Sequence, residues 1–285
     1  MTHTDIQTVG FIGLGDQGLP MAQAIAQAGF VLHVWARRPS SLEALGDTAY
    51  ISQSSVEALA RQCDVICLCV RSDNDIFELL GKGLLAQIRP GTVVINHGTG
   101  TPANALKLAQ LCQSAGALTL DVPVSGGRIA AQARTLTVLV GGNEDTFIRC
   151  KPVLESFSRD THYMGPTGAG QYAKLFNNAL LVQNFASIAR TLELAVLCGL
   201  NPRQTLEGLK SGSAFSNAMS YLNTMITPAN VAHHVAVLGE DMALFADAMG
   251  ATGQPWQAVY EQGIAGIRAL PQLIAALNAE EEKHE

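Results

Sequence analysis

The chain has 285 residues, of which 48% are hydrophobic and 15% charged, with a formal net charge of -6 at neutral pH. That composition supplies enough apolar mass for one large or two modest packed domains and excludes an intrinsically disordered chain. The balance is acidic and no run of Lys or Arg stands out, which excludes nucleic acid and anionic membrane as the main partners.

In chain order, the first seven residues, Met-Thr-His-Thr-Asp-Ile-Gln, lack the basic start and apolar core of a signal peptide, so a cytoplasmic location is expected. A strand over Val9–Ile12 then runs into Gly13-Leu14-Gly15-Asp16-Gln17-Gly18, followed by a helix with apolar residues at 21, 22, 25 and 26. In this strand-turn-helix setting each glycine has a use: a tight turn, close approach of backbone to a pyrophosphate, and tight packing of helix on strand. The free N–H groups of the helix start face the diphosphate. Gly13, Leu14, Gly15, Gln17 and Gly18 are therefore candidate cofactor-binding residues.

The second strand, Val31–Ala36, ends without the carboxylate that normally takes the ribose hydroxyls of NAD. Arg37, Arg38, Pro39 and Ser40 follow at once, and two guanidiniums suit a 2′-phosphate. NADP is the expected cofactor, with NAD possible.

Helices beginning near Ser40, Ser54, Asp73, Thr101 and Glu144 alternate with strands at Val65–Val70, Thr92–Asn96, Ala117–Val122, Leu136–Val140 and near His162. Such alternation predicts βαβ units and a Rossmann-type, mainly parallel sheet. The six cysteines contain no Cys-x-x-Cys pair; Cys67 and Cys69 fall on one face of a strand and read as small core residues. His97, His162 and the His233-His234 pair show no ligand spacing, so no metal is expected.

After Gly170 the pattern becomes all-helical, with breaks expected at 199–202, 227–228, 250–255 and at Leu270-Pro271. Residues 179–200 form the longest apolar stretch, but Gln183, Asn184, Arg190 and Glu193 interrupt it, which argues against a membrane span. The run 280–285 reads as a charged, frayed tail. The expected organisation is an α/β nucleotide domain over residues 1–164 and an all-α substrate and oligomerisation domain over 165–285, joined by a long helix.

That joining helix carries Lys174 on a nearly uncharged stretch: between Gly165 and Leu200 only Lys174, Arg190 and Glu193 are charged. A half-buried ammonium is costly unless something uses it, and burial draws its pKa toward proton-trading range. Asn178 lies four residues on, on the same helical face.

Four ordered segments resemble the β-hydroxyacid dehydrogenase family across nearly the whole chain. They are Gly13-Leu-Gly15-Asp-Gln-Gly18-Leu-Pro20-Met21, Asp121-Val-Pro-Val-Ser-Gly-Gly127, Gly165-x-x-Gly168-x-Gly170-x-x-x-Lys174-x-x-Asn177-Asn178, and a weaker Glu240-Asp-Met-Ala-Leu244. The resemblance implies Lys174 as the catalytic lysine, Ser125, Gly126 and Gly127 as the substrate-carboxylate loop, and Asn178 as an amide that positions substrate. It also implies that Val70, Arg71 and Thr99 lie along the cofactor. The implied reaction is hydride transfer between nicotinamide and a short β-hydroxy acid or its semialdehyde, with Lys174 handling the proton.

The pattern breaks in places. Ala130 and Arg134 replace glycines, Asn96-His-Gly-Thr-Gly100 replaces the usual loop beside the cofactor, and Glu240 replaces a second lysine near the family's active site. Glu240 would face an ammonium on the substrate or point away into an ion pair. Imine reduction, dehydrogenation of a β-hydroxy amino acid, and a non-catalytic cofactor-binding scaffold are the alternatives. The apolar helices predict a homodimer or homotetramer.

Overall fold

A computed structural model describes residues 6–279; the charged tail and residues 1–5 of the N-terminal segment lie outside the described residues. The chain divides into two compact units, Met1–Lys174 and Leu175–Glu285.

The first unit runs β1 (Thr8–Ile12), α1 (Gly18–Gln27), β2 (Val31–Trp35), a 3-10 turn (Pro39–Leu45), β3 (Ile51–Ser52), α2 (Val56–Gln62) and β4 (Val65–Leu68). It continues with α3 (Asp73–Leu79), a π turn (Leu80–Leu84), α4 (Leu85–Gln87), β5 (Val93–Asn96), α5 (Pro102–Ser114), β6 (Leu118–Asp121) and β7 (Val124–Ser125). Then come α6 (Gly127–Ala133), β8 (Leu136–Gly142), α7 (Glu144–Glu155) and β9 (Ser158–Gly165).

Among the described residues these strands form one nine-stranded sheet, ordered β3-β2-β1-β4-β5-β6-β8-β7, with β9 on β8. The strands from β3 across to β6 pair in parallel, β8 is antiparallel to β6 and β7, and β9 is parallel to β8. The mainly parallel sheet expected from the alternating pattern is the observed one.

Its central strands β1, β4 and β5 are buried on both faces, as a parallel sheet between helices requires. Val65 and Cys67, Val93 and Ile95, with Phe11 and Met21, build one core. Ile66, Leu68 and Val94 point the other way, to Leu59, Leu84 and Leu108. Strand order reverses between β1 and β4, which opens a crevice at the carboxyl ends of those strands.

Helix α8 (Ala169–Leu197) leads into the second unit, which adds α9 (Pro202–Lys210), α10 (Asn217–Tyr221), α11 (Val231–Gly250) and α12 (Gln257–Asn278). The helical character expected after Gly170 holds; extended pairing among the described residues there is limited to one bridge, Leu222 to Ile226. A Cβ built at Gly266 would fall 1.8 Å from the Val182 carbonyl oxygen, so α12 lies directly on the backbone of α8. By length and composition α8 alone, among the described residues, could cross a membrane. Its Val182, Phe185, Ile188, Ala189 and Leu192 are instead buried within the protein.

Three local readings are corrected. Helix α12 does not break at Pro271 but continues to Asn278. The missing proline N–H costs about 3 kcal/mol in a helix interior, and burial of Leu270, Leu273, Ile274 and Leu277 on both sides of it offsets that. The segment from Pro39 is a 3-10 turn rather than an α-helix. The short β3, β7 and α6 were not anticipated: two-residue strands carry no periodicity, and α6 opens on Gly126-Gly127, which reads as loop.

Candidate active site

The turn after β1 has the geometry of a phosphate cradle. Gly13 has φ +105° and a Cβ there would meet the Cys69 carbonyl oxygen at 2.2 Å. A Cβ at Gly18 would sit 1.9 Å from the Gly13 carbonyl oxygen. Both positions therefore exclude any side chain. Gly15 differs: nothing lies within 4 Å of where its Cβ would be, leaving open space over the backbone where a pyrophosphate would approach.

The helix ends agree. In the first unit α2, α3, α5 and α7 are each capped by a side chain, from Ser55, Ser72, Thr101 and Asn143. Helix α1 starts at Gln17 and α6 at Gly126, and neither has a side-chain cap or an acidic residue in its first turn. Uncapped helix starts leave N–H groups and a positive dipole end for an anion. Arg128 Nη1 comes within 3.9 Å of Asp16 Oδ1, which brings the Ser125-Gly126-Gly127 turn beside the Gly13–Gly18 turn.

Over the crevice lies a cavity of about 550 Å³ lined by Gly13, Leu14 and Gly15, by Trp35, Ala36, Arg37, Arg38 and Ser41 from the β2 end, and by Cys69, Val70, Arg71, Asp75 and Leu79. Seven of the residues expected to hold cofactor thus meet around one space: Gly13, Leu14, Gly15, Arg37, Arg38, Val70 and Arg71. Gln17, Gly18 and Thr99 do not line it. Gln17 and Gly18 form the start of α1 behind the turn. Thr99 belongs to the loop after β5, whose Gly98 packs on the Val70 carbonyl (3.1 Å from a built Cβ).

That loop is fastened to α8. Gln171, fully buried, donates from Nε2 to the Gly98 carbonyl (2.9 Å) and accepts at Oε1 from the Gly100 N–H (2.8 Å). Asp121, at the end of β6, accepts from the N–H groups of Gly168 (2.8 Å) and Gln171 (3.0 Å). A Cβ at Gly170 would strike the carbonyl oxygens of Asp121 and Leu139 at 2.5 Å, so only glycine permits this docking of the helix start on the sheet. Burial pushes the Asp121 carboxyl up to about 6, and the backbone N–H groups of Gly168 and Gln171 hold it from going higher. Lys174, half-buried, lies one helical step (i+3) beyond Gln171 on this anchored first stretch of α8.

In the second unit Asn178 is buried, donates from Nδ2 to Asp241 Oδ2 (2.8 Å) and accepts at Oδ1 from Asn177 (3.0 Å). Glu240, next to Asp241 on α11, is exposed. Gln171, Asp241 and Asp75 were missed as functional residues, although the first two stand inside the quoted motifs; spacing alone does not reveal a partner 50 or more positions away. Asp75 carried only the weak signal of a capping box with Ser72. Among the described residues no group of three or more His, Cys, Asp or Glu could hold a metal.

The glycine cradle at a strand-order reversal defines a dinucleotide-binding domain of the Rossmann type. Residues 8–165 match the family model described as the NAD binding domain of 6-phosphogluconate dehydrogenase, and residues 168–269 match that for the NAD-binding of NADP-dependent 3-hydroxyisobutyrate dehydrogenase. The chain is 33% identical to a probable 3-hydroxyisobutyrate dehydrogenase of Mycobacterium tuberculosis, over 86% of each chain. It is 33% identical to an NAD-dependent L-serine dehydrogenase of Pseudomonas aeruginosa, over 76% of this chain and 74% of that one. The solved M. tuberculosis 3-hydroxyisobutyrate dehydrogenase with L-serine superposes with a TM-score of 0.83 at 27% identity, covering 96% of this chain and all of that one. The chain belongs to the β-hydroxyacid dehydrogenase family of NAD(P)-dependent oxidoreductases, as its four motifs implied.

Proposed function

We propose that this protein oxidises a short β-hydroxy acid, or reduces its semialdehyde, with preference for NADP(H) over NAD(H). The observation that carries the reading is the glycine cradle: two glycines closed to any side chain, one left open, and an uncapped helix start beyond them. Arg37, Arg38 and Ser41 at the β2 end, with no carboxylate on that strand end, support recognition of a 2′-phosphate. When bound, the nicotinamide supplies the hydride acceptor or donor.

The chain's own residues do the rest. Lys174 gives its proton to the substrate oxygen in reduction and takes it in oxidation, and its charge stabilises the developing oxyanion. Ser125 and the N–H groups of Gly126 and Gly127 hold the substrate carboxylate. Asn178, one turn along the helix from Lys174, orients the substrate. Residues 1–164 bind the cofactor, and residues 165–285 supply the substrate side chain's surroundings and the oligomer contact. Exposed Phe176, Leu180, Leu194 and Leu197 on α8 support a homodimer or homotetramer; light scattering that found a monomer would overturn the oligomer.

A β-hydroxy amino acid is the second reading, supported by the 33% identity to an NAD-dependent L-serine dehydrogenase and by Glu240, a carboxylate where the family carries a second lysine. The test is a panel of short hydroxy acids, L-serine and semialdehydes with NAD(H) and NADP(H), run on wild type and Lys174→Met. We expect kcat to fall about a thousandfold in the variant, within the usual range for a positioned acid-base group plus its charge, with cofactor affinity retained. Unchanged turnover in Lys174→Met would overturn the role of Lys174, and a wild type that turns over no member of the panel while binding cofactor would leave the scaffold reading standing.

A further inference from the structure

The cavity lining contains a single carboxylate, Asp75, and it comes from α3 rather than from the end of β2. Its Oδ1 accepts from Arg37 Nη2 at 2.8 Å, and its Oδ2 accepts from Ser72 Oγ at 2.8 Å. Ser72 Oγ in turn accepts from the Asp75 N–H, capping the helix. The carboxylate is thus held at the helix start, with 22% of its side chain exposed against 63% for Arg37. Arg37 is the more exposed partner of the two, a long side chain resting on a carboxylate fixed by Ser72. Arg38, on the same lining, is not engaged by Asp75.

We propose that Asp75 is a specificity-determining residue that restrains NADP(H) binding by holding Arg37 and by placing a negative charge against the 2′-phosphate. This rests on the reading of Arg37 and Arg38 as the 2′-phosphate site. A dianionic phosphate that recruits Arg37 must share it with Asp75, and the two anions repel. A ribose with a free 2′-hydroxyl meets no such opposition, and the carboxylate can accept from it. The pair therefore narrows the gap between the two cofactors that two arginines alone would create, so that both are accepted.

The experiment is calorimetric titration of the full chain with NADP+ and with NAD+, without substrate, for wild type, Asp75→Asn, Asp75→Ser and Arg38→Ala. Thermal melts of each variant report folding, and Asp75→Ser keeps a small polar group at the helix start should the amide disturb it. We expect Asp75→Asn and Asp75→Ser to tighten NADP+ roughly three- to tenfold, as for one partly screened charge facing a dianion, with the gain shrinking as salt is raised. NAD+ affinity should stay the same or weaken. Arg38→Ala should weaken NADP+ alone. If Arg38→Ala weakens NADP+ selectively but neither Asp75 variant tightens it, the role of Asp75 is overturned while the NADP reading survives. If wild type binds NADP+ no better than NAD+ and Arg38→Ala alters neither, the NADP reading falls and the inference with it.

Discussion

Asp121 and Gln171 are 50 positions apart in sequence, yet the Asp121 carboxylate accepts the Gln171 backbone N–H at 3.0 Å. The other carboxylate oxygen takes Gly168, so one side chain at the end of a central strand satisfies the start of the helix that carries Lys174. Asp121→Asn keeps the shape but turns an amide NH₂ toward one of these N–H groups. We expect a loss of about 2–3 kcal/mol at neutral pH, the cost of a buried donor left unmade, and a matching loss of kcat as Lys174 loses its anchor. Urea melts and steady-state kinetics measure both.

The same carboxyl has a calculable pH signature, opposed by His97. Folded Asp121 titrates at about 6, above its unfolded value of 3.8, so its contribution to stability falls as pH rises between those values and is constant above. His97 is fully buried, stacked on Phe11, with Nδ1 donating to the Val122 carbonyl and Nε2 unpartnered. Burial lowers its pKa from 6.5 to about 4. Its contribution is whole above pH 6.5 and is lost as pH falls toward 4. Each effect is worth about 3 kcal/mol at 1.4 kcal/mol per pH unit, and the signs oppose. Between pH 4.5 and 6 these two contributions should nearly cancel in the wild type. His97→Gln should become less stable as pH rises through this window and Asp121→Asn more stable; parallel slopes in all three proteins would refute the assignment.

Substituting the cradle glycines separates folding from binding. Gly13→Ala forces a side chain against the Cys69 carbonyl at positive φ and should cost at least about 2 kcal/mol. Gly15→Ala meets nothing within 4 Å, so the melting temperature of the ligand-free protein should hold while cofactor affinity drops by about tenfold or more through the lost close approach. Equal cofactor affinity in Gly15→Ala would show that the pyrophosphate lies elsewhere.

Asn178 and Asp241 should be energetically coupled. Removing the amide leaves a partly buried carboxylate short of a donor, and a double-mutant cycle with Asn178→Ala and Asp241→Ala should give about 1–2 kcal/mol of coupling. A coupling near zero would mean that the 2.8 Å contact does not persist in solution.

Arg134 ends α6 in the left-handed conformation, φ 56° and ψ 37°, at one of the two positions where glycine was expected. Arg134→Gly should stabilise the protein by about 0.5–1 kcal/mol, seen as a higher melting temperature. Ala130 at the other position is tolerated because Gly126 has no Cβ: one built there would lie 2.5 Å from Ala130 Cβ.

The sequence by itself determined the class of fold, the glycine turn and its helix, the absence of a carboxylate at the end of β2, and the helix bearing Lys174 and Asn178. All of these are written in patterns a few residues long, set by backbone sterics and by the periods of strand and helix. Tertiary structure alone decided which partners those residues have. Gln171 closes the Gly98–Gly100 loop from 71 and 73 positions away, Asp75 engages Arg37 across 38, and Asp241 takes Asn178 across 63. Pro271 stays helical because buried leucines on both sides outweigh one missing hydrogen bond, a balance that no local rule contains. Hydrogen bonds and charge pairs act over a few ångströms of space, whatever the separation along the chain, so a sequence shows which groups can take part but only the fold determines which of them meet.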